Sequence, residues 1–316
     1  MYPVFGHVLG EPVPAYFTML MVGFAVATLQ AARWTRRAGL DHDVIVDLGL
    51  VAILAGVLGG RLLHVLADGY FWDYVHLCTD PSQVVWRVVE TEAECTRLAG
   101  AWDEKAGLCH ARARDCLAWL KFWNGGLAYY GGLFSAGLAG LWWLRREGFP
   151  LGHGVDAVGA ALPLGLFFGR LGCFFGGCCF GVVTHGSLGV SFPAFSAVSE
   201  SHYRAGLLAS KGLASLPVHA TQLYEAGGCL LLAAWLTFYV QPRKRFHGQV
   251  LLSFLGLYAV LRFLIEYLRA DDRGHWLGMS TSQLLGLLIL GAVVLLWRRC
   301  AAAQSSTLCS ERAPLS

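Results

Sequence analysis

Seven stretches of this chain are long and apolar enough to cross a lipid bilayer, and that repetition limits the fold more than any motif does. A span needs roughly 20 largely apolar residues. The stretches are 15–32, 44–67, 126–144, 155–175, 222–240, 249–268 and 281–297. The fourth is the least regular, being glycine-rich and carrying Arg170. The expectation is an all-α membrane protein of about seven transmembrane helices, one polytopic domain over residues 1–316.

Charge is scarce and ordered. Of the 316 residues 56% are hydrophobic and 14% charged, with a mean hydropathy of +0.52. Soluble domains carry about 25% charged residues, so a soluble enzyme, a disordered chain and a nucleic-acid binder are all disfavoured. The net charge of +3 is too small to imply a polyanionic partner. The 39 glycines and 11 tryptophans suit close helix packing and interfacial anchoring. Arg33/Arg36/Arg37, Arg145/Arg146, Arg243/Lys244/Arg245 and Arg298/Arg299 all fall in connections on one side, which the positive-inside rule makes cytoplasmic. The amino end is then extracytoplasmic, and 300–316 forms a short cytoplasmic tail. Residues 1–14 lack a basic leader region, so the first stretch reads as an uncleaved span.

Two long segments fall on the outer side. Segment 68–125 is polar and holds Cys78, Cys95, Cys109 and Cys116. An even cysteine count in such an insertion predicts disulfides over the alternative of four reduced thiols. Among three connectivities the nested one, Cys78–Cys116 with Cys95–Cys109, is preferred. Segment 176–221 is rich in glycine and proline and reads as an irregular or partly re-entrant loop.

Arg61, Arg170 and Arg262 lie inside predicted spans, where an arginine costs about 2.5–3.5 kcal/mol on insertion scales. Asp47, Asp156, Glu225 and Glu266 are the acids within spans or at their edges. Arg262 and Glu266, spaced i,i+4, share one helix face, and Arg269 extends that stripe outward. Structural ion pairs would explain these charges. A surplus of guanidinium groups would instead suit a phosphate, since the guanidinium fork matches its geometry. An outward-opening cationic pocket points to an anionic lipid headgroup. His219, Gln222, Tyr224 and Glu225 gather at the start of the fifth span, and Tyr130 precedes Gly131-Gly132 at the start of the third. Residues 169–181 surround Arg170 with five further glycines and with Cys173, Cys178 and Cys179. Adjacent Cys178-Cys179 lacks the ligand spacing of a thiolate zinc site, and no C-x-x-C is present, so neither metal nor cofactor is expected.

These motifs resemble the prolipoprotein diacylglyceryl transferase family. The matching pieces are Tyr16, Gly59-Gly60-Arg61, the Gly125–Gly132 block, Gly169-Arg170-Leu-Gly172 through Gly181, His219 with Gln222-Leu-Tyr224-Glu225, and Arg262 through Arg269, with Ser280 and Gln283 at the last span. The resemblance implies a bacterial inner-membrane enzyme with its active site facing the periplasm. Its partners would be phosphatidylglycerol, a prolipoprotein signal peptide with its lipobox cysteine, and membrane lipids, with no nucleic acid. Arg170, Arg262 and Tyr130 are the expected catalytic residues. Tyr16, Arg61, Cys173, Gly181, His219, Gln222, Tyr224, Glu225, Glu266 and Arg269 are the expected substrate-binding ones. Two departures stand out: Tyr130 replaces the family's usual histidine, and Cys173 its usual asparagine. The alternatives are a related lipid transferase with another acceptor, a non-catalytic lipid-binding paralogue, and a thiol-redox protein using Cys173, Cys178 and Cys179.

Overall fold

The computed structural model describes residues 4–8, 11–86, 89, 91–121, 126–210, 212–270, 275–276 and 278–302. Gly125 and residues 303–316 of the expected tail lie outside the described residues. Ten α-helices are described: α1 Ala15–Arg37, α2 Asp43–Ala67, α3 Phe71–Thr79, α4 Glu92–Arg97, α5 Tyr129–Arg146, α6 Leu151–Gly176, α7 Ala197–Arg204, α8 Thr221–Trp235, α9 Gln249–Glu266 and α10 Thr281–Ala302. Four two-stranded antiparallel pairs are described with them: β1 Val4–Val8 with β2 Glu11–Pro14, β3 Ala101–Asp103 with β4 Leu108–His110, β5 Gly189–Val190 with β6 Val218–His219 across α7, and β7 His275–Trp276 with β8 Met279–Ser280.

Among the described residues, six helices are long and apolar enough to cross a membrane: α1, α2, α6, α9, α10, and α8 with its continuation to Arg243. A helix suits this setting because it satisfies its own backbone hydrogen bonds where water is absent. The third predicted span is also helical, as α5, but its glycines and closing Arg145-Arg146 dilute its apolar content.

The chain divides into two compact units. In the first, Met1–Val46 with Pro150–Ser316, α6 packs against α1, α8 and α9, and α10 packs on α9. Small residues set these approaches: a Cβ on Gly159 would stand 2.6 Å from the Leu251 Cα, and one on Gly172 would stand 3.1 Å from the Tyr16 carbonyl oxygen. Near the start of α6 a core of Ala160, Leu236, Val240, Val250 and Phe254 adjoins the fully buried Asp156. Asp156 receives Lys244 Nζ at 2.9 Å and the Val250 N–H at 2.9 Å. Replacing it with alanine strands a half-buried ammonium and a backbone donor. Asp156→Ala is expected to cost about 3 kcal/mol, read as a lower thermal midpoint of the detergent-solubilised protein.

The described residues of segment 176–221 have a core of their own. Phe180, Phe192, Val198 and Val218 pack together, and Ser196 caps α7 by accepting the Ser199 N–H. His202 is buried here, which lowers its pKa, and its Nδ1 accepts the Leu216 N–H. At the other connection Ser280 and Gln283 form a capping box for α10. The Gln283 side-chain Oε1 accepts the Ser280 N–H at 3.0 Å, and the Ser280 hydroxyl accepts the Gln283 N–H at 3.3 Å.

The second unit, Asp47–Phe149, holds the rest of α2 with α3, α4 and α5. Helices α2 and α5 touch along glycines: a Cβ on Gly59 would collide with Ser135 and stand 2.7 Å from the Gly131 carbonyl oxygen. The polar insertion is clasped by the nested disulfides Cys78–Cys116 and Cys95–Cys109, so the four-thiol alternative falls away. Cys95, Cys109 and Val89 form its buried centre, flanked by Trp86 and Trp102.

Candidate active site

The first unit brings charged residues of α6, α8 and α9 together at one end. Helix α6 finishes there, α8 starts there and α9 finishes there, so Arg170, Glu225, Arg262 and Glu266 share a level. Arg170 Nη2 lies 3.0 Å from Glu225 Oε1, and the carboxylate is fully buried. Tyr258, one helical turn before Arg262, donates its hydroxyl to the same Oε1 at 2.7 Å. Arg262 Nη2 lies 2.5 Å from Glu266 Oε2, the i,i+4 pair expected from the sequence. That pair is close but poorly aligned. Arg262 Nη1 and Nη2 and Glu266 Oε2 are buried without a hydrogen-bond partner among the described residues, as are Glu225 Oε2 and Gln222 Oε1. Buried polar atoms normally have partners, so unmade bonds on a guanidinium mark a place where an anion can be received.

Arg269 is also buried, so three guanidinium groups face two carboxylates and the cluster carries a surplus of one positive charge. Its position is set by the backbone. Val182 donates to the Leu268 carbonyl at 2.8 Å, and Gly181 pairs with Arg269 while donating to the His219 carbonyl at 2.9 Å. A Cβ at Gly181 would stand 2.5 Å from the Leu268 carbonyl oxygen, so glycine is required by close packing of three backbone segments.

Helix α6 ends in a Schellman turn. Gly177, at φ +68°, donates to the Phe174 carbonyl, and Cys178 donates to the Cys173 carbonyl at 3.1 Å. Gln222 Nε2 donates to the Cys178 carbonyl at 2.7 Å, and the Thr221 hydroxyl donates to the Cys179 carbonyl at 2.8 Å. The first turn of α8 therefore holds the turn that ends α6, with Arg170 just below. Tyr16, in the first turn of α1, lies against Gly172 and is partly exposed. His219 Nδ1 lies 3.3 Å from the Tyr224 hydroxyl.

Among the expected site residues, then, Tyr16, Arg170, Cys173, Gly181, His219, Gln222, Tyr224, Glu225, Arg262, Glu266 and Arg269 belong to one unit and one end of it. The family profile for prolipoprotein diacylglyceryl transferase matches residues 3–91 and 105–298. The chain belongs to the prolipoprotein diacylglyceryl transferase family. Relatives carrying the name phosphatidylglycerol–prolipoprotein diacylglyceryl transferase include one from Xylella fastidiosa strain 9a5c, 34% identical over 90% of this chain and 88% of its own length. One from Clostridium tetani is 25% identical over 93% and 96%, and one from Xanthomonas euvesicatoria pv. vesicatoria is 29% identical over 84% and 79%. The unmatched residues 92–104 carry α4, β3 and Cys95, so the inner disulfide of the insertion uses a cysteine outside the family match.

Two expected residues of this family member fall in the second unit. Tyr130 starts α5 and is half exposed. The glycines after it face α2, which accounts for Gly131 and Gly132 by helix packing. Arg61 is buried, and its Nε, Nη1 and Nη2 donate to the carbonyls of Trp119, Gly126 and Ala118 at 2.7, 3.0 and 2.7 Å. Its guanidinium also lies 5.1 Å from the Tyr74 ring centre. This is the geometry of a clasp that fixes the insertion. Tyr258 was missed in the sequence. Its signal was position: four residues before Arg262, on the same helix face.

Proposed function

We propose that this protein transfers the diacylglyceryl group of phosphatidylglycerol to the lipobox cysteine of prolipoproteins. The single observation that carries the chemistry is the buried Arg262 guanidinium with unmade hydrogen bonds beside the Arg170–Glu225 pair. A phosphodiester headgroup would take those bonds, with Arg170 exchanging its carboxylate partner for a phosphate oxygen. The substrate thiolate then attacks the glycerol carbon that carries the phosphate ester. The carbon–sulfur bond forms, the carbon–oxygen bond breaks, and its electron pair leaves on glycerol phosphate. The thiol proton passes to solvent or to that phosphate. A thiol ordinarily titrates near 8.5, and guanidinium groups at the site would favour its thiolate. The same groups stabilise charge gathering on the leaving phosphate.

The orientation proposed is seven spans, amino end out and carboxyl end in, in the bacterial inner membrane. It is supported by the basic last turns of α1 and α5, by Arg299 in the last turn of α10, and by the disulfides in the 68–125 insertion. The site then opens toward the periplasm. Tyr130 is proposed to act on the headgroup by hydrogen bonding, on the strength of the family motif.

Complementation of a bacterial strain depleted of its own transferase tests this reading. Prolipoprotein should gain the mobility shift of lipidation, and growth should recover. Failure with the protein correctly inserted would overturn the assignment, and rescue by Tyr130→His alone would locate the fault at that position.

A further inference from the structure

We propose that Cys173, Cys178 and Cys179 form a binding site for one soft, thiophilic metal cation of the copper(I) class. Spacing along the chain hides this site, because Cys178-Cys179 alone offers no usable ligand pair. The turn that ends α6 reverses the chain and brings the third sulfur in. In a Schellman turn the residue two past the helix end packs against the residue five positions before it, here Cys178 on Cys173. The three sulfurs all lie within 4.8 Å of one another. Three thiolates bound to one metal at about 2.3 Å stand about 4 Å apart, so a contraction of less than about 1 Å closes the site. None of the three is in a disulfide.

Two further observations favour a cation over plain packing. Cys179 has φ +63°, a left-handed conformation that a side chain other than glycine rarely adopts, and this turns it back toward the other two. Arg269 hydrogen-bonds the Cys179 sulfur. A monovalent cation on three thiolates leaves a double negative charge, and the Arg269 guanidinium offsets part of it. Soft sulfur donors in a three-coordinate arrangement select copper(I) over harder divalent ions. The proposal stands independently of the transferase reading.

The test uses the full chain, purified anaerobically in detergent and titrated with copper(I) against the chromogenic chelator bathocuproine disulfonate. One equivalent of copper(I) should be retained, and X-ray absorption at the copper edge should show three sulfur neighbours. Cys178→Ser should weaken retention by at least about a hundredfold, more than the loss of an outer-shell partner does. A Cys229→Ser/Cys300→Ser/Cys309→Ser variant should bind as the parent does. The proposal is overturned by no retention in the wild type, by two or fewer sulfur neighbours, by unchanged retention in Cys178→Ser, or by a disulfide among the three in the anaerobic protein. The X-ray result on the wild type keeps the test decisive if Cys178→Ser fails to fold.

Discussion

Replacing Arg262 with alanine is expected to lower diacylglyceryl transfer by about 10²–10³-fold, the usual loss when one preorganised donor to a developing anion is removed. Arg262 is suited to this test because its ion pair lies within its own helix, with Glu266. Its removal breaks no salt bridge between helices but leaves the buried Glu266 carboxylate uncompensated, so a lower thermal midpoint is expected and rates are compared at equal amounts of folded, inserted protein. Arg262→Lys keeps the charge but loses the planar fork and should recover only part of the rate. Transfer of a labelled glyceride from phosphatidylglycerol to a lipobox peptide in mixed micelles reads both variants. Activity of Arg262→Ala within a few-fold of the parent would remove Arg262 from the phosphate site.

A second large effect is expected on stability, at Glu225. Its carboxylate is fully buried, pairs with Arg170 across α6 and α8, and accepts the Tyr258 hydroxyl from α9. Glu225→Ala leaves a mostly buried guanidinium uncompensated and a buried phenol without its acceptor. Breaking such a pair from one side costs about 3–5 kcal/mol. Glu225→Gln retains an oxygen for Tyr258 and should lose less. Replacing both members, as Arg170→Met with Glu225→Met, should be more stable than Glu225→Ala, because no lone charge stays buried. Thermal unfolding in one detergent ranks the three variants. A double replacement no more stable than Glu225→Ala would show that the pair is not what sets the cost.

The outcome at each residue follows from how local its cause is. Six apolar spans were legible because apolar length is a property of consecutive residues, and their observed ends differ by a few positions. Helix α6, for example, starts at Leu151, where Pro150 opens it, although the apolar run begins only at residue 155. Arg262 with Glu266, and Ser280 with Gln283, were legible because both pairs sit within one or two helical turns. The Arg170–Glu225 pair was not, since only the packing of α6 on α8 makes it. The three backbone carbonyls that accept from Arg61 leave no trace in residue identity, so its place in the insertion could not be read from the sequence. The meeting of Cys173 with Cys178 and Cys179 depends on one left-handed glycine, Gly177. Sequence motifs marked that stretch as unusual without saying what it holds.

The two glutamates of the charged cluster have a consequence for turnover. A site built only of arginines would bind glycerol phosphate tightly and release it slowly. Here Glu225 and Glu266 stand at the guanidinium groups as resident anions, ready to reoccupy them when the phosphate departs. Under the proposed reaction, the protein carries its own competitor for its product.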